Sequence, residues 1–189
     1  MDASMPLTRS TVERAAEAYR EEEPLYPVEQ EGVETLPAAL STGEFGRRDA
    51  EWVVRWYYRR FLGAIPNDER RAAEERFRRN DFETVLETVT AAADATDAAE
   101  ALERLTALEG VDVPVGSAFL CFLDPESYVV VGEREWTVLE EHGELTAPYP
   151  DPPSIEAYET YLECCRSVAD RLECELWTLY RALWRLWKA

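Results

Sequence analysis

Apolar residues recur with helical spacing along most of this chain. Val53, Trp56, Tyr57 and Phe61 stand at i, i+3, i+4 and i+8, a single stripe that closes at Gly63. Val115, Ala118, Phe119 and Phe122 share a face behind Pro114, which suits a first helical turn because its missing N–H would find no partner there. Capping signals divide the rest. Ser10-Thr11-Val12-Glu13 reads as a capping box that opens a helix running to about Glu22. Pro24 and Pro27 then predict an extended link, followed by a short helix over 33–40. Asn67 is expected to cap a helix to Arg79, and 81–93 and 96–108 predict two more. Tyr128-Val129-Val130-Val131 is strand-like but too short to found a sheet. Gly132 starts a helix to about His142, 148–153 form a proline-rich loop, and Ser154 caps a final helical region that breaks near Leu172-Glu173. The expected fold is all-α, a globular array of roughly eight or nine helices. Residues 1–45 are expected as an arm laid on a helical domain of residues 46–189.

Charge changes this picture more than hydropathy does. Asp plus Glu number 39 against 20 Lys plus Arg, a formal charge of -19, and Lys188 is the sole lysine. Self-repulsion of that size strains a compact state in dilute salt. At molar salt the Debye length falls to roughly 3 Å and the strain is screened. The composition therefore resembles that of proteins from salt-accumulating archaea, with an acidic partner-binding protein as the alternative. No apolar run reaches the length of a membrane helix. The first ten residues lack a basic-then-apolar targeting layout, so a cytoplasmic location is expected. The four cysteines form no Cys-x-x-Cys pair and read as free thiols.

The segment from Thr96 to Trp136 carries a more specific pattern. A helix leads into Leu108-Glu109-Gly110-Val111-Asp112, Val113-Pro114 opens the next helix, and an Asp124-Pro125 exit precedes a new start at Gly132. This layout resembles the helix-hairpin-helix superfamily of base-excision DNA glycosylases, in particular its 8-oxoguanine glycosylase-like branch. The similarity extends from about Gly46 to Trp184. It implies a turn at Gly110, Val111, Asp112 and Val113 that meets a DNA phosphate, with a monovalent cation at Gly110–Asp112. The family's second turn glycine is Asp112 here. Its nucleophilic lysine falls on Pro114 and its catalytic aspartate on Gly132. The resemblance thus leaves Glu133, beside the missing aspartate, or Asp112, as the remaining candidate carboxylates. It implies no cofactor.

Ten arginines and six acids between Arg47 and Arg79 make a locally basic stretch. Arg55 and Arg59, one turn apart beside Trp52 and Trp56, are candidate phosphate contacts, as is Arg134. The competing reading is a solvated surface laced by pairs such as Glu51 with Arg55 and Glu75 with Arg79. Trp177, Tyr180, Trp184 and Trp187 form a stripe expected to pack the last helix on the core. His142, before Gly143, is expected to stabilise a helix C-terminus. Cys164, Cys165, Cys174 and His142 lack zinc-site spacing. No P-loop, dinucleotide fingerprint or nucleophile-elbow motif is present. Two classes remain: a diverged glycosylase-like protein that binds double-stranded DNA or a nucleotide with little or no excision, and a non-enzymatic module that binds a protein.

Overall fold

The computed structural model describes residues 5–189; the first four, part of the stretch read for a targeting signal, lie outside the described residues. Ten helices and no strand occur among them. They are α1 (Arg9–Glu22), α2 (Tyr26–Thr42), α3 (Arg47–Arg59), α4 (Asn67–Arg78), α5 (Phe82–Ala93), α6 (Ala98–Leu105), α7 (Val113–Leu123), α8 (Glu133–Glu141), α9 (Ile155–Leu172) and α10 (Leu176–Lys188).

Several helix starts differ from the sequence expectation, each for a local reason. The cap of α1 is Thr8, whose hydroxyl accepts from the Thr11 N–H at 3.3 Å, two residues ahead of the expected Ser10. Pro27 begins α2 instead of breaking the chain, because a proline costs nothing in a first turn. The helix expected over 33–40 therefore spans Tyr26–Thr42, with Pro37 inside it. Pro66, not Asn67, precedes α4, and Asp97 caps α6 by accepting from Glu100 N–H at 2.8 Å. Ser154 caps α9 as expected, and Asp81, expected as the first residue of its helix, is instead the cap of α5. The break at Glu173 is a left-handed residue, φ 53°, that closes α9.

Helix α7 occupies the centre, with every residue from Pro114 to Leu123 buried. It packs on α2, α3, α5 and α6, and Phe122 meets the rings of Trp52, Trp56 and Trp177 at 5.2, 4.9 and 5.5 Å. The first 45 residues contribute Leu7, Val12, Ala15, Leu36, Leu40 and Phe45 to that same core. Helix α1 lies along α10, and Arg185 and Lys188 of α10 both reach the buried Glu23, at 3.3 and 2.9 Å.

The strand-like run pairs with no strand. Val129, Val130 and Val131 are buried, and a buried extended backbone must find partners for its polar groups. Side chains supply them. Tyr158 and Tyr161 of α9 donate their hydroxyls to the carbonyls of Val129 and Val130, each at 3.0 Å. The Val131 N–H donates to Ser117 Oγ of α7 at 3.0 Å, and its carbonyl accepts from Arg60 Nη2 at 3.5 Å. The run thus ties three helices together and sets where α8 begins.

Candidate functional site

The turn between α6 and α7 is built around Gly110 at φ 77°, a left-handed conformation that glycine tolerates best. It also lies tight against α4: a Cβ there would fall 2.8 Å from the Phe77 nitrogen and 3.1 Å from the Ala73 oxygen, both backbone atoms. Asn80 fastens the same turn, accepting from Glu109 N–H and donating to the Glu109 carbonyl, each at 2.9 Å. Val111 and Pro114 are buried, whereas Asp112 is exposed. The Asp112 carboxylate accepts from Val115 N–H at 3.0 Å, so it serves as the N-cap of α7. It thereby fills, with its own charge, the donor position that the resemblance assigns to a phosphate.

Beside this turn lies an open cleft of about 580 Å³, walled by Tyr57 of α3, Phe61 just beyond that helix, the first turn of α8, Tyr149 and Trp187. Glu133 and Arg134 both line it, joined by Asp151 from the 148–153 loop. Asp112 stands close enough to raise the phenol pKa of Tyr57 and Tyr149, although burial is the larger cause in both. Glu133 is exposed. Arg134 is half-buried, its guanidinium carbon 4.2 Å from the Trp184 ring centroid, 4.1 Å from Trp187 and 5.0 Å from Phe61. It makes no hydrogen bond or ion pair with any described residue.

Behind the cleft wall sits a buried ion pair that no local sequence pattern predicts. Arg60 and Glu135 are 1% and 0% exposed and form an ion pair of 2.5 Å. The Arg60 guanidinium carbon lies 4.8 and 4.6 Å from the Tyr57 and Phe61 ring centroids. Burial is the largest single influence and works against its charge, but Glu135, Tyr180 and Tyr57 together hold the pKa well above the ordinary value. Arg60 Nε, Glu135 Oε2 and the Tyr180 hydroxyl have no hydrogen-bond partner. The pair also explains the glycine at position 132. Its backbone is extended, which any residue adopts, but a Cβ there would fall 2.6 Å from Glu135 Oε2 and closer still to Arg60 Nη2. The space where the resemblance expects a catalytic carboxylate is filled from behind by these two side chains.

No protein-family model, characterised protein or solved structure matches this chain.

Half of the basic stretch is neutralised: five of its ten arginines have ion-pair partners among the described residues, though neither of the two named pairs forms. Arg55 pairs with Glu74 at 3.5 Å instead of Glu51. Arg70 pairs with the same Glu74 at 2.8 Å, Arg78 reaches Glu51 at 3.3 Å, and Arg79 faces Glu109 across 3.9 Å. Glu51 with Arg55 and Glu75 with Arg79 do not pair, because α4 packs alongside α3 and offers Glu74 to Arg55 across the seam, but Arg70 with Glu74 and Glu74 with Arg78 do form i,i+4 pairs within α4. Arg59 is exposed and has no ion-pair partner among the described residues. Of the candidate contacts, then, Arg59 and Arg134 keep unclaimed donors, Arg55 is shared with α4, and Gly110, Val111, Asp112 and Val113 form a turn sealed by its own cap.

A second buried charge underlies α10. Glu29 is fully buried and accepts from the Tyr19 hydroxyl at 2.9 Å, Trp56 Nε1 at 3.2 Å and Arg181 Nε at 3.0 Å. Burial nevertheless lifts its pKa above the ordinary value. His142 ends α8 as its C-cap, with Nδ1 2.7 Å from the Met5 carbonyl oxygen. No group of three or more His, Cys, Asp or Glu among the described residues is placed to hold a metal ion. Among the described residues no helix is long and apolar enough to cross a membrane.

Proposed function

We propose that this chain is a diverged relative of the helix-hairpin-helix DNA glycosylases that holds a nucleobase, in DNA or in a nucleotide, and does not excise it by the usual chemistry. The observation that carries this reading is the aromatic cleft at the start of α8, beside the Gly110 turn. Flat faces of Tyr57, Tyr149 and Trp187 suit a base removed from its stack. Excision of the usual kind lacks its groups. Pro114 replaces the amine that would attack the sugar, and the place of the aspartate is closed by Arg60 and Glu135. The pairing of Arg55, Arg70 and Arg78 with carboxylates weakens a duplex-tracking face, because a phosphate would have to displace partners already in place.

The test is single-turnover excision, with binding measured in parallel, on duplexes carrying several damaged bases in multimolar KCl. Binding without cleavage above background is expected. Excision would overturn the second half of the reading and make Glu133 the first residue to replace. Absence of all binding by a folded protein would overturn the first half. A variant sharpens this. Gly132→Asp restores the family's carboxylate in name but drives its Cβ into the buried pair. It is expected to gain no excision and to lose about 1–3 kcal/mol of stability to overpacking, read by chemical denaturation at fixed KCl.

One observation favours a protein-binding role. Leu62 and Trp187 are 43% and 44% exposed, large apolar side chains left uncovered. On that reading a partner protein protects Trp187 from quenching and no nucleotide does.

A further inference from the structure

Arg134 combines three properties rarely found together at the surface. Its guanidinium lies over the faces of Trp184, Trp187 and Phe61, so its position is fixed by ring contacts and not by hydrogen bonds. Those contacts engage the charge and leave the N–H donors unspent, and no described residue takes them. It also lines the cleft, where an incoming group meets it directly. Most other arginines nearby are committed: Arg60 to Glu135, Arg55 and Arg70 to Glu74. Partial burial pulls the Arg134 pKa down, and an anion at its donors would offset that cost.

The rest of the cleft argues against a bare anion and against a polyanion. Glu133 and Asp151 share it with Arg134, so a phosphate arriving alone meets two carboxylates as well as one guanidinium. A ligand that places an anionic group on Arg134 and presents N–H donors to Glu133 or Asp151, with a flat ring between, satisfies all of them at once. An extended duplex brings many phosphates to a surface of formal charge -19 whose arginines are mostly paired.

On the reading above that this cleft holds a nucleobase, we propose that its ligand is a free nucleoside monophosphate, with Arg134 taking the phosphate, the aromatic walls the base, and Glu133 or Asp151 the amino group. Trp187 stacks near-parallel on Trp184, with ring centroids 6.2 Å apart, and its exposed face is the surface against which the base is expected to lie. Arg134 is then an anion-binding residue held ready by its own aromatic seat.

Tryptophan fluorescence of the full chain in multimolar KCl tests this, with adenosine monophosphate, adenosine, inorganic phosphate and a short single-stranded oligonucleotide as probes. The monophosphate is expected to bind about ten- to a hundredfold more tightly than adenosine, as loss of a charge-assisted hydrogen bond implies. Inorganic phosphate is expected to show no saturable binding. Arg134→Gln abolishes the preference for the monophosphate over adenosine, Arg134→Lys restores part of it, and Trp187→Ala weakens both ligands; melting curves establish that each variant is folded. Equal binding of adenosine and its monophosphate, or an unchanged preference in a folded Arg134→Gln, would overturn the inference. Binding of the oligonucleotide alone would also overturn it while leaving the nucleobase-holding function standing. If no probe binds, both fall together.

Discussion

Replacing Arg60 by methionine lowers folding stability by about 3–5 kcal/mol, because it strands Glu135 as an uncompensated buried charge. Replacing both partners, Arg60→Met with Glu135→Leu, recovers most of that loss. The two single changes together with the double form a cycle whose coupling is expected to be large and favourable. Two atoms of the pair, Arg60 Nε and Glu135 Oε2, already lack partners, so the native arrangement carries a standing desolvation cost that an apolar pair removes. Urea denaturation at constant KCl gives all four stabilities. A double variant no more stable than Arg60→Met would mean that the ion pair is a net stabiliser and that its surroundings repack poorly. The double variant also opens the space behind Gly132, so Gly132→Asp is expected to be better tolerated in that background than in the native one.

The second large effect is expected at Glu29. Glu29→Ala removes the acceptor shared by Tyr19, Trp56 and Arg181 and deprives the buried Trp56 N–H and Tyr19 hydroxyl of the bonds they make. A loss of about 3–5 kcal/mol is expected. The pH dependence separates this from a simple cavity. Below the ordinary glutamate pKa of about 4.3, folded and unfolded chains both carry the Glu29 proton. As pH rises past that value the unfolded chain releases its proton first, since burial raises the folded pKa. Stability therefore falls with rising pH through the window between the two values. Glu29→Gln cannot ionise, so the difference between native protein and this variant is expected to shift toward the variant across that window. A difference independent of pH would show that Glu29 ionises normally in the fold.

Helix existence was legible in the sequence wherever an apolar stripe met a capping residue, as in α3, α5, α7 and α9. Proline misled at Pro27, since the same residue ends one helix and begins another and only the neighbours decide. The run Tyr128-Val129-Val130-Val131 is too short for a sheet and pairs with no strand among the described residues, but its partners come from Ser117, Tyr158, Tyr161 and Arg60, at separations no local pattern encodes. Arg60 falls four residues after Trp56 and three after Tyr57, on the apolar face, and Glu135 stands among Trp136, Val138 and Leu139. A charged residue on a buried stripe was thus available as a signal in each helix, whereas their meeting across 75 positions was not. Glu29 shows the same pattern, one turn before Gly32 and in line with Leu36. Arg134 was singled out beside Glu133, but its aromatic seat depends on the end of α10 returning to the start of α8.

The seam between the first and last helices has a chemical consequence. Lys188 carries the only side-chain amine in the protein, and in the folded chain it is held against the buried Glu23 of the α1 end. Amine-directed acylating reagents therefore meet one ε-amino group, whose reactivity depends on whether that seam is closed. Acylation read at Lys188 itself, apart from any α-amine, is a chemical clock for the docking of α1 on α10, installed without any engineered label.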